Sequence, residues 1–103
     1  MNINAMKATQ HEYLSNFAAV KGEDYARFIS GTAVVLTGCE VVLSGMPPDT
    51  FADGRKVLLS VMSLAIAALA DKAGIEDVVA ATAECRTMIT AVDNAGKFSS
   101  EVH

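Results

Sequence analysis

From Arg27 onward the chain repeats itself: RFISGTA, VVLTGCE and VVLSGMP are three successive seven-residue lines. Their third place holds Ile29, Leu36 and Leu43, the fourth Ser30, Thr37 and Ser44, and the fifth Gly31, Gly38 and Gly45. In a strand, side chains alternate with period two, so a period of seven would send successive repeats to opposite faces. In a helix seven residues make almost two turns, and every repeat returns to the same face. The residue types pull the other way. Ile29, Thr32, Val34, Val35, Thr37, Val41 and Val42 are β-branched and suit a hairpin over 32–43, turning at Thr37-Gly38-Cys39-Glu40. Each internal glycine also costs a helix about 1 kcal/mol relative to alanine. Periodicity is the stronger signal. It predicts a helix from about Asp24 to Ser44, with the hairpin, and hence an α+β fold, as the alternative.

That helix would carry two seams. Phe28, Thr32, Val35, Cys39, Val42 and Met46 form a large apolar one. Gly31, Val34, Gly38, Val41 and Gly45 form a second, alternating glycine with valine, and Glu40 stands beside it as the one charge of the run.

Three further helices follow from the flanking sequence. Tyr13, Leu14, Phe17 and Ala18 give Asn4 to Val20 one apolar stripe, which Gly22 ends. After the stop at Gly45, Pro47 and Pro48, Asp49 or Thr50 is a natural N-cap, and Thr50 with Asp53 approaches a capping box. The helix from there to Lys72 is apolar nearly all round, as central helices are. It has one stripe of small residues, Ser60, Ser63, Ala67, Ala70 and Gly74. Gly74 followed by Ile75 predicts a Schellman-type end. Glu76 and Asp77 open the last helix, whose stripe is Ile75, Val78, Thr82, Cys85, Ile89 and Val92. Gly96 is expected to close it and leave a frayed tail over 97–103. Short connections favour antiparallel neighbours. The expected fold is one all-α domain of 103 residues, a four-helix up-down-up-down bundle. The composition agrees: alanine-rich, without tryptophan, with only two prolines.

The chemistry-bearing residues are sparse. There is no phosphate loop, serine elbow, HExxH or CxxC. His11 lies on a polar helix face and His103 is the last residue. Cys39-Glu40 and Glu84-Cys85 mirror one another on the second and fourth helices, and zinc takes thiolate and carboxylate ligands. The plainer reading is of two cysteines buried as small hydrophobes. No cofactor, catalytic residue or small-molecule substrate is expected, and the chain reads as non-enzymatic. A net charge of −4 with scattered basic residues opposes a nucleic-acid surface. The N-terminal residues lack the pattern of a secretory signal and the cysteines are few, so a cytoplasmic setting is expected.

The expected function is therefore protein binding, by self-association as a dimer or by capture of a partner helix. Gly31, Val34, Gly38, Val41 and Gly45, with Glu40 at the edge, are the expected surface, unless the glycines instead seat the small stripe of the third helix. On either account Gly38→Leu should lower stability or oligomer order. Size and charge would suit an accessory chaperone, an immunity or inhibitor protein, or a small mobile-element factor of bacterial or phage type. Two alternatives stand beside this. Phe28 to Met46 is about the length that spans a bilayer, which would make a small holin-like membrane protein, although Val57 to Ala70 is too short to return comfortably. The other is a metal- or ligand-binding bundle using Cys39 and Cys85.

Overall fold

A computed structural model of the chain describes residues 2–47 and 51–101, with side chains for 2–47 and 52–97. It is all-α: α1 (Ile3–Lys21), α2 (Glu23–Ser44), α3 (Phe51–Ala73) and α4 (Val78–Glu101), with no strand among the described residues. The segment 32–43 is helical throughout, so periodicity prevails over β-branched content, and the hairpin is excluded. The proposed caps at Asp49 and Thr50, the stop at Pro48, and His103 lie outside the described residues.

The α1–α2 and α3–α4 connections are each set by a few atoms. Gly22, at φ +97°, is the entire link between α1 and α2. Its N–H donates to Ala18 O at 3.0 Å and its carbonyl accepts from Ala26 N at 3.3 Å, so one residue closes one helix and opens the next. A positive φ strains any residue with a Cβ, which is why glycine stands there. Gly74, at φ +69°, ends α3 as the spacing predicts. Ile75 N–H donates back to Ala70 O at 2.9 Å and Gly74 N–H to Asp71 O at 3.2 Å, the paired bonds of a Schellman end. Asp77 then caps α4, its Oδ1 accepting from Ala80 N at 3.0 Å.

Two expectations change at the far ends of α3 and α4. The chain turns through 107° between α3 and α4, nearer a right angle than the reversal expected of a short link. Gly96 does not close α4. The helix runs on to Glu101, and Gly96 is buried where α1 begins, its carbonyl accepting from Asn2 N at 3.3 Å.

The core lies on α2. Phe28, Ile29, Thr32, Ala33 and Leu36 meet Ile66 and Ala70 of α3 and Ala81, Cys85 and Met88 of α4. Tyr13, Leu14 and Phe17 of α1 pack half-buried against this cluster, with Phe17 edge-on to Tyr25 at 5.8 Å. The buried positions of α2, from Phe28 to Cys39, step by one, three, one, three and three residues, the pitch of a straight helix. A strict seven-residue stripe drifts by about 20° per repeat on such a helix. Phe28, Thr32 and Cys39 of the expected apolar seam are accordingly buried, whereas Val42 is about half-exposed.

The central helix is α2, not α3. α2 packs against all three others, while α3 has substantial contact with α2 alone. The result is a plate of 42 × 40 × 16 Å, about two helix layers thick.

Candidate functional site

On the outer side of this plate, away from the core, α2 and α3 leave large apolar side chains in solvent. Val34 and Val41 of α2 are 72% and 66% exposed, and Val57, Val61 and Leu64 of α3 are exposed to a similar degree. The two helices run antiparallel, since Gly31 lies against Leu69 while Gly54 lies against Met46. With a step of about 100° per residue, the two stripes can be placed from those contacts. Val34, Gly38 and Val41 turn away from the core, and Val57, Val61 and Leu64 turn to the same side of α3. The apolar residues of the two helices thus form one face.

The glycine seam divides. At Gly31 a Cβ would meet Leu69 Cδ1 at 3.2 Å, so this notch is filled by α3. At Gly38 nothing lies within 4 Å. Gly45 caps α2, and only the carbonyls of Val41 and Val42 lie near its missing Cβ. The small stripe of α3 does not seat the seam. Ser60, Ser63 and Ala67 are exposed, with the two hydroxyls donating back to Lys56 O and Leu59 O at 2.9 Å. Of that stripe Ala70 alone is buried, in the core cluster, and the other residues of α3 that pack there or against Gly31 are larger: Met62, Ile66 and Leu69.

Glu40 is exposed but lies on a different side of α2. It edges a cleft of roughly 500 Å³ between α1, α2 and α4, whose apolar wall includes Met6, Ala33, Met88 and Val92. Asp93 lies on the same rim and receives Lys97 at 2.9 Å. His11 is exposed, with Ser15 Oγ 3.5 Å from its Nε2.

The two cysteines are buried free thiols. Cys85 Sγ donates to Ile29 O at 3.4 Å, and burial pushes its pKa up to about 11 despite nearby Arg86. Such a thiol is poor in thiolate and hence in nucleophilicity. Glu84 does not turn toward Cys39. It receives Lys21 Nζ at 2.6 Å, joining α4 to α1, and that lysine also lies 4.7 Å from the Tyr25 ring centroid of α2. Among the described residues no three His, Cys, Asp or Glu side chains gather to hold a metal, so the two Cys–Glu pairs do not meet as one ligand set.

Sequence reasoning singled out the α2 part of the apolar face and missed Val57, Val61 and Leu64. A signal was present. A helix apolar nearly all round needs cover on every side, whereas α3 has only α2 as a substantial neighbour. Comparison of the chain with protein-family models, curated proteins and solved structures returns no match.

Proposed function

We propose that the chain is a non-enzymatic protein-binding module whose binding surface is the α2–α3 face. The supporting observation is the grouping of Val34, Val41, Val57, Val61 and Leu64, all exposed, around the open notch at Gly38. Single exposed apolar residues are ordinary, but a contiguous patch of them marks an interaction surface. Val34, Gly38, Val41, Val57, Val61 and Leu64 carry no charge, which suits an apolar partner rather than a nucleic acid. The buried free thiols of Cys39 and Cys85 suit a reducing, cytoplasmic setting.

One observation favours a second reading. α2 is long and apolar enough to cross a membrane, and most of that stretch is not buried within the chain. Under that reading the same face meets lipid. The two readings separate by photocrosslinking in the native cell from a probe placed at Val41 or Leu64, combined with fractionation without detergent. Protein adducts from a soluble pool, absent from a control probe at exposed Val79, support the module. Recovery wholly in the membrane fraction, or no adducts from either position, overturns it.

A further inference from the structure

Building on the protein-binding reading of the α2–α3 face, we infer that its occupant is a second copy of this chain, packed antiparallel across α2. The first argument is area. A compact monomer of 10.8 kDa exposes about 5,500 Å², whereas this chain exposes 6886 Å². The excess, roughly 1,300 Å², is more than the ~800 Å² that each partner contributes to a standard interface. The radius of gyration gives the same answer, 15.2 Å against about 13 Å for a compact chain of this length. A flat plate with one apolar side gains the missing cover when two plates meet on that side.

The second argument is shape. Along the outer stripe of α2, knobs and notches alternate every three or four residues: Val34, Gly38, Val41, Gly45. Such a stripe is complementary to itself displaced by half a repeat. A two-fold axis parallel to the helices allows no displacement, because each residue then meets its own mate. An axis perpendicular to them does allow it. Placed between Gly38 and Val41, that axis sets Val41 of each copy into the Gly38 notch of the other and Val34 against Gly45. Gly31, already filled by Leu69, is not needed. The stripe from Val34 to Gly45 bears no charge on this side, since Glu40 turns toward the cleft beside α1 and α4. Two chains of net charge −4 therefore meet without burying a carboxylate at the centre of the contact.

Sedimentation equilibrium of the purified chain over micromolar concentrations tests this. The expected mass is twice 10.8 kDa. Val41→Lys and Gly38→Leu should each halve the mass while helical circular dichroism is retained, because both side chains have room in the isolated chain. Val79→Lys, on an exposed position of α4 outside the face, should leave the doubled mass unchanged. A single-chain mass for the wild type throughout overturns the second-copy proposal. So does a doubled mass that survives both Val41→Lys and Gly38→Leu. Either result leaves the broader protein-binding reading to the cellular crosslinking, where adducts to chains other than this one would uphold it. Purification only in detergent, from the membrane fraction, overturns both.

Discussion

Gly31 of α2 sits directly against Leu69 of α3: a Cβ on Gly31 would lie 3.2 Å from Leu69 Cδ1. Seven residues along the same stripe, Gly38 has nothing within 4 Å. Both glycines sit inside a helix, where alanine is preferred by about 1 kcal/mol. Gly38→Ala should therefore raise the stability of the isolated chain by close to that amount. Gly31→Ala should gain nothing or lose ~1 kcal/mol, since the helix preference is offset by displacing the Leu69 side chain in packed surroundings. Urea melts on protein dilute enough to exclude association give both values. Equal gains at the two positions would show that α3 does not sit on Gly31 as described. The contrast also revises the outcome expected of Gly38→Leu: the folded chain accommodates it, and its effect falls on association.

Thr32 is the one buried polar side chain of the described core. It is fully inaccessible, and its hydroxyl has no hydrogen-bond partner. An unpaired buried hydroxyl costs about 1–3 kcal/mol. Thr32→Val keeps the branched shape and removes the cost, so it should raise the unfolding free energy by ~1–2 kcal/mol. Thr32→Ala instead opens a cavity and should not match that gain. A valine variant less stable than wild type would mean that the hydroxyl has a partner.

How far these features could be read beforehand depended on whether their causes were local. Gly22 and Gly74 act through their own φ angles, so their helix ends are legible in a few residues. Gly96 was misread because its place inside α4 is set by the start of α1, more than ninety residues earlier in the chain. The seven-residue repeat correctly gave a helix, but a straight helix advances past a strict heptad, so the core took Ile29, Ala33 and Leu36 while Val42 turned outward. For α3 hydropathy states how much surface needs cover, but not which neighbour provides it. That is why α2 rather than α3 proved central, and why the α3 half of the exposed face went unnoticed.

The Lys21–Glu84 pair, 2.6 Å apart, ties α1 to α4 at the chain's first corner. The hydrogen bond from Lys21 holds the Glu84 carboxyl below its ordinary pKa, more than burial raises it. A depressed folded-state pKa contributes stability above the ordinary carboxylate range, and that contribution is lost as pH falls through the folded value. Glu84→Gln should therefore lower the melting temperature at neutral pH, and the gap from wild type should close in acid. The effect should be small and should shrink with added salt, since both side chains are partly solvated. Thermal melts from pH 7 down to pH 3 measure it, and a gap that stays constant would remove the ion pair as its cause.

Cys85 behaves oppositely. Its thiol is wholly buried against Ile29 O, and burial raises its pKa from 9.0 to about 11. Between those values the unfolded chain releases the thiol proton while the folded chain keeps it, so stability is full below pH 9 and declines toward pH 11. Cys85→Ala, which has no thiol to ionise, should be less stable at pH 8 because it leaves a cavity, and should show a shallower alkaline decline. The same burial predicts that a thiol reagent at neutral pH reacts with Cys85 only as fast as the protein opens. Quantitative labelling of Cys85 in seconds without denaturant, read by peptide mass spectrometry, would contradict a buried, protonated thiol.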